Sequence, residues 1–251
     1  QYLGQTGANV RGLVSAAGVE LVIFDIFDTL LLRPLLNPES TKAIVAQKAG
    51  GDAGKIYLQF RAESEGVARQ RAGRDVDLDA IFVEFAALSG LPEDAVSRLR
   101  QLEEKVERES VAARPDVVNI MQFALSQGKR VVLASDMYLP RLVIESMLSA
   151  QGIFGWHTLY LSSDIGLRKD SGDLYRHILE KEQVAPAQIL MIGDNEHSDI
   201  QIPNDMGMKV WHVMRPVELA RSMVRLTPLV DHALSGQDLN EELALGLLLR
   251  T

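Results

Sequence analysis

Asp25 stands at the end of the apolar run Leu21-Val22-Ile23-Phe24, and Thr29 follows it four residues later. A carboxylate delivered to the end of a buried strand is costly unless a cation or hydrogen-bond donors compensate it, so this position is a candidate for chemistry. Three further stretches share the design. Arg130-Val131-Val132-Leu133-Ala134 ends in Ser135-Asp136, Lys169 lies in a polar loop after Thr158-Leu159-Tyr160-Leu161, and Gln188-Ile189-Leu190-Met191-Ile192 leads into Gly193-Asp194-Asn195-Glu196-His197-Ser198-Asp199. In chain order these supply a carboxylate, a hydroxyl, an ammonium and a pair of carboxylates, each leaving the same end of a strand.

The elements that position these groups are legible in the pattern. Strand-like runs fall at about 19–24, 130–134, 158–161, 188–192 and 209–213, with helical patterns between them such as Leu142, Ile144, Met147 and Leu148 before Gly152. Alternating strands and helices predict an α/β fold, a doubly wound parallel sheet with ligands at the carboxyl ends of its strands. The interval from Asp25 to Ser135 exceeds one crossover helix and holds no convincing strand. Leu78, Ile81, Phe82, Phe85 and Leu88 repeat at helical spacing between a capping Asp77 and a terminating Gly90, and Val96, Leu99, Leu102 and Val106 form the next helix. Residues 36–112 therefore read as an inserted helical cap, residues 1–35 and 113–216 as the core, and residues 217–251 as a helical tail. The apolar Leu243-Ala244-Leu245-Gly246-Leu247-Leu248-Leu249 near the end reads as a packing surface for an adjoining domain or partner.

Composition narrows the function. With 251 residues, 47% hydrophobic and 24% charged, the chain has the make-up of an ordinary globular protein, and its formal charge of −8 argues against non-specific binding to nucleic acid or anionic membranes. There is no cysteine, so thiolate metal sites and disulfides are excluded. No apolar run approaches the roughly 20 residues of a membrane span, and the start lacks a signal pattern, so the expected location is cytoplasmic. A first residue of Gln1 is consistent with a segment cut from a longer chain.

In the order of these groups the chain resembles the haloacid dehalogenase-like hydrolase superfamily over roughly residues 19–215. The resemblance implies a Rossmann-like catalytic core and a cap that closes over the catalytic loops, excludes water and selects the substrate. It further implies that Asp25 is the nucleophile and a ligand of Mg2+, with the backbone carbonyl of Phe27 and the carboxylate of Asp194 as further ligands and Asp199 acting behind them or through water. Magnesium suits such a set because it prefers oxygen ligands and holds an anionic nucleophile and an anionic phosphate together. Ser135, with the backbone amides beside it such as that of Asp136, would bind phosphoryl oxygens, Lys169 would neutralise charge between nucleophile and phosphate, and Thr29 would orient the phosphate loop.

Two positions depart from the superfamily pattern. Its phosphatases usually carry a second aspartate two residues after the nucleophile as general acid and base; Phe27 stands there, and Asp28 occupies the next position, where glycine is usual. Loss of that acid costs about 10²–10⁴ in rate unless another group replaces it. Asp28 is the candidate replacement, beside the alternative of an aspartate that only satisfies turn amides, and His197 is a second proton carrier to weigh. An aromatic residue at the second position also occurs in the superfamily's haloacid dehalogenases, yet Gly193-Asp194 with Asp199 resembles the metal-binding phosphatases.

Phe24-Asp25-Ile26-Phe27-Asp28-Thr29-Leu30-Leu31-Leu32-Arg33-Pro34 and Ser135-Asp136-Met137-Tyr138-Leu139-Pro140 resemble a branch of predicted bacterial hydrolases joined to, or encoded beside, glycosyltransferases of surface-polysaccharide synthesis. Arg33, Arg61, Arg69 and Tyr138 are candidates for recognising the rest of a substrate, against pairing of the arginines with neighbours such as Glu63 and Glu65. The leading expectation is a magnesium-dependent phosphohydrolase of a small phosphorylated metabolite such as a sugar phosphate. The alternatives are a slow or inactive phosphate-binding module of a glycosyltransferase system and, more weakly, a dehalogenase. A glycosyltransferase partner and a homo-oligomer both stay open.

Overall fold

A computed structural model describes residues 7–236 and 238–249. The expected strands are present as β1 (Leu21–Phe24), β4 (Arg130–Ser135), β5 (Thr158–Leu161), β6 (Ile189–Gly193) and β7 (Lys209–His212). They form one parallel sheet in the order β5-β4-β1-β6-β7. β1 lies at the centre, with Leu21 beside Arg130 on one side and Ile189 on the other. That position explains its sequence: a strand flanked and covered on both faces reads as an unbroken apolar run, and Leu21 to Phe24 are fully buried. Chain progression moves outward from β1 through β4 to β5, then returns to the other side through β6 and β7. The reversal falls at β1, and a sheet wound this way opens a crevice at the carboxyl ends of the strands there.

Two short strands complement the sheet. β2 (Leu31–Leu32) pairs antiparallel with β3 (Ala112–Ala113). Two-residue strands leave no periodic trace, which is why the sequence pattern between Asp25 and Ser135 shows none. Contacts divide the chain into two compact units. The first comprises the described residues up to Leu32 with Ala112–Met137 and Leu148–Arg215; the second comprises Arg33–Val111, Tyr138–Met147 and the described residues from Pro216 onward. In the first, Leu21, Ile23, Val132, Ala134, Leu174, Ile178, Ile189 and Met191 pack as one buried cluster between sheet and helix.

The second unit is helical, with helices at Ser40–Ala49, Gly51–Ala72, Leu78–Ser89 and Glu93–Glu109. The expected punctuation is present: the Asp77 side chain accepts from the Ala80 amide, and Gly90 takes a left-handed φ of 64°. Gly54 lets two helices meet, since a Cβ there would stand 2.2 Å from the Ala46 carbonyl oxygen.

The tail read as helical is three helices, Pro216–Ser222, Thr227–Ser235 and Leu239–Leu249. Their apolar faces enclose Val217, Ala220, Val230, Ala233 and Leu245 together with Leu36. Buried Glu242 accepts from the amides of Leu36 (3.0 Å) and Asn37 (2.9 Å) and from Ser40 Oγ (2.7 Å). Glu242→Ala orphans these donors and is expected to destabilise the protein by about 2–3 kcal/mol. Urea unfolding of the variant checks this, and a midpoint equal to that of the parent would refute it.

Candidate active site

The first unit gathers Asp25, Asp194 and Asp199 so that one carboxylate oxygen of each lies within 4.8 Å of the others. Asp25 follows β1, where its amide still donates to Ile192 O at 2.9 Å. Asp194 follows β6. Asp199 arrives through a six-residue π-type turn at Glu196–Gln201, capped by the Asn195 side chain, which accepts from the His197 and Ser198 amides. The glycine before Asp194 has a steric cause: a Cβ on Gly193 would stand 2.4 Å from Asp199 Oδ2.

Lys169 binds this cluster. Its Nζ donates to Asp25 Oδ1 at 2.6 Å and to Asp199 Oδ1 at 2.7 Å, and its side chain is almost fully buried. Burial alone would strip the lysine's proton, but the two carboxylates outweigh it and hold its pKa well above the ordinary value. For Asp25, burial pushes the carboxyl up, Lys169 pulls it back and Asp199 raises it again, leaving about 6. Asp194 is pushed well up by burial and by the nearby charges of Asp25, Asp28 and Asp199. Crowded, desolvated carboxylates of this kind call for cationic compensation beyond one lysine.

Thr29 Oγ1 donates to Asp194 Oδ1 at 3.2 Å, so the hydroxyl steadies a carboxylate of the cluster. The turn that carries Thr29, from Ile26 to Leu31, is tight: the Leu30 and Leu31 amides both donate to Ile26 O at 2.8 Å, and the Asp28 amide donates to Leu31 O at 2.6 Å. Asp28 has a φ of 61°. Left-handed backbone explains why glycine suits this position and why aspartate, among the few side chains that tolerate it, replaces glycine here. Phe27 is buried two residues after Asp25.

Ser135 is the buried last residue of β4. Both oxygens of Asp136 accept from the Lys169 amide, at 2.9 and 3.0 Å, so this carboxylate ties the loop after β4 to the lysine loop. His197 is exposed, with Nδ1 3.1 Å from Gln201 Oε1.

The remaining candidates belong to the second unit, in a carboxylate network. Buried Arg61 donates through Nε and Nη2 to Glu103 and through Nη1 to Glu65, and its guanidinium lies 4.9 Å from the Tyr138 ring. Arg69 pairs with Glu65 and Asp75, Arg33 with Glu107, and the Tyr138 hydroxyl donates to Glu107 at 3.2 Å. Of the two glutamates named in the sequence reading, Glu65 is a partner; Glu103, far along the chain, was not foreseen.

The sequence reading missed three neighbours of the cluster. Tyr175 OH donates to Ser198 O at 2.8 Å and lies 3.5 Å from Asp199 Oδ1. His212 Nε2 donates to Asp194 O at 2.8 Å, and Arg215 Nε lies 3.7 Å from Asp194 Oδ2. Tyr175 lies on the helix Asp173–Glu182 with Leu174 and Ile178 as its buried neighbours, and a tyrosine on an apolar helix face just after the lysine loop was the available signal. His212 and Arg215 carried none beyond their place at the end of a strand.

The donor chemistry fits magnesium: three carboxylates converge on one point, and magnesium takes oxygen ligands. Among the described residues no helix is long and apolar enough to cross a membrane.

The fold is shared with solved structures of other proteins. The fold resembles L-2-haloacid dehalogenase from Xanthobacter autotrophicus at 19% identity, covering 86% of this chain and 88% of that one with a TM-score of 0.55. It also resembles the HAD-hydrolase YfnB from Bacillus subtilis, solved bound to magnesium, at 18% identity, covering 76% and 87% with a TM-score of 0.53. A third similar structure is a haloacid dehalogenase-like family hydrolase from Xanthomonas campestris, at 16% identity, covering 79% and 82% with a TM-score of 0.55. Residues 19–207 match the haloacid dehalogenase-like hydrolase family. Since that match runs from the strand before Asp25 past Asp199, the chain belongs to the haloacid dehalogenase-like hydrolases.

Proposed function

We propose that the protein is a magnesium-dependent phosphohydrolase of a small phosphorylated metabolite, a sugar phosphate being the favoured class, working through an aspartyl-phosphate at Asp25. The observation that carries this reading is the convergence of Asp25, Asp194 and Asp199 around the ammonium of Lys169. Asp25, Asp194 and the Phe27 carbonyl would hold the ion, with Asp199 behind them. When bound, magnesium supplies positive charge that neutralises carboxylates and phosphoryl oxygens and lowers the barrier to anion meeting anion.

In the first step Asp25 attacks phosphorus and the bond to the ester oxygen breaks, the leaving oxygen taking a proton. In the second, water passes a proton to the Asp28 carboxylate left by the first step as its oxygen attacks phosphorus, the bond from phosphorus to the Asp25 oxygen breaks, and inorganic phosphate and the Asp25 carboxylate result. Lys169 neutralises charge between nucleophile and phosphoryl group, and Ser135 binds phosphoryl oxygens from the end of β4. Asp28 is the carboxyl assigned to the leaving-group proton, because Phe27 offers none.

Phe27 also favours a second reading: a phosphate-binding module with little turnover, serving a glycosyltransferase system. Assay against a panel of phosphate esters separates them. Release of phosphate that requires magnesium and stops with a chelator supports the enzyme. Phosphate binding without turnover supports the module, and halide release from 2-chloropropionate without magnesium would overturn both.

A further inference from the structure

The loop after β4 is held from two directions. The Met137 amide donates at 3.1 Å to Oγ of Ser162, which follows β5, and both oxygens of Asp136 accept from the Lys169 amide, at 2.9 and 3.0 Å. Arg168, the residue before that lysine, brings its guanidinium to 3.8 Å from Asp136 Oδ2. The Asp136 carboxylate is thus turned onto the lysine loop. On its other side that loop is closed by its own main chain, the Gly172 amide donating to Lys169 O at 2.9 Å and the Leu174 amide to Arg168 O at 3.0 Å. The Lys169 side chain leaves this anchored segment and meets Asp25 and Asp199 at 2.6 and 2.7 Å.

We propose that Asp136 is a positioning residue, whose carboxylate fixes the main chain of Lys169 so that the ammonium falls between nucleophile and phosphoryl group. This rests on the reading of the site as phosphohydrolytic. A lysine is a point charge on a flexible stem, so where its charge sits depends on where its backbone starts. A carboxylate aimed at an arriving phosphate would repel it, whereas one spent on a main-chain amide leaves the anion site to the cation. Two groups assigned to the phosphoryl oxygens, Ser135 and Lys169, are thereby tied through the one residue between their loops. Misplacement of such a group by about 1 Å costs on the order of 10²-fold in rate.

Hydrolysis of para-nitrophenyl phosphate with Mg2+, and nitrogen-15 spectra of lysine-labelled resting protein, test the assignment on the parent, Asp136→Ala and Asp136→Asn. The Lys169 ammonium signal is identified by its loss in Lys169→Met. Asp136→Ala is expected to lower kcat by about 10–100-fold with little change in KM, and to shift or broaden that signal. Asp136→Asn keeps an acceptor for the amide and is expected to retain most of kcat and the parent signal. An unchanged signal and kcat in Asp136→Ala overturn the proposal, and so does a rise in KM at constant kcat, which would make Asp136 a substrate contact. Should Asp136→Ala not fold, Asp136→Asn decides: retained kcat supports the assignment and its loss overturns it. If the parent itself releases no phosphate while the Lys169 signal responds as expected, the phosphohydrolase reading fails and the hold on Lys169 stands. If the parent turns over and the signal ignores Asp136→Ala, only the positioning role fails.

Discussion

Asp25→Asn is expected to reduce turnover of phosphate esters by about 10⁴-fold or more, because an amide oxygen is a poor nucleophile and the covalent route closes. The same change is expected to leave the fold as stable as before, or to stabilise it. Asp25 has an ordinary value of 3.8 and is pushed to about 6 in the folded protein. A carboxyl raised on folding binds protons more tightly in the native state, so stability falls as pH rises between the two values. The penalty is absent below about 4, grows through that window and is full above about 6. Parent and Asp25→Asn should therefore have equal unfolding midpoints near pH 4, with the variant ahead at pH 7–8. A variant that retains turnover removes Asp25 from the chemistry. One that is less stable at pH 8 removes the claim that the cluster stores electrostatic strain.

Glu103→Ala is expected to cost about 3–5 kcal/mol of stability, the cost typical of breaking a buried ion pair. Glu103 and Arg61 are each only 1% exposed in their side chains, and Glu103 also accepts from the Tyr57 hydroxyl at 2.7 Å. Alanine leaves the guanidinium with Glu65 as its remaining carboxylate partner in this group and strands the phenol. Glu103→Gln keeps an acceptor and should fall between parent and alanine variant. The double variant Arg61→Met/Glu103→Leu removes both charges and should recover most of the loss, since an apolar pair needs no desolvation. Chemical unfolding of the four proteins measures these differences. A loss below about 1 kcal/mol in Glu103→Ala would show that the network contributes little to holding the helices together.

What the sequence made legible follows from the range of each interaction. The parallel strands were readable because a buried strand must be an apolar run, and the loops of the candidate site were readable because each opens at the end of such a run. The cap at Asp77 and the stop at Gly90 were readable because both act within a few residues of themselves. Arg61 with Glu103 was not: the partners are 42 residues apart, and nothing local distinguishes Glu103 from its neighbours on a charged helix. The pairing of Leu31–Leu32 with Ala112–Ala113 escaped for the same reason. Asp28 is the intermediate case. The departure from glycine was visible in the letters, while its left-handed backbone, which explains the departure, was visible only in the turn.

Glu242 carries a consequence for biosynthesis. The Leu36 amide waits for a carboxylate encoded 206 residues later. A nascent chain can close the strands and helices made of neighbouring segments as they emerge, but the amides of Leu36 and Asn37 have no carboxylate until Glu242 has left the ribosome. Maturation of that unit thus waits on synthesis of Glu242, and a product released before it would carry the segment around Leu36 unclasped and open to proteases.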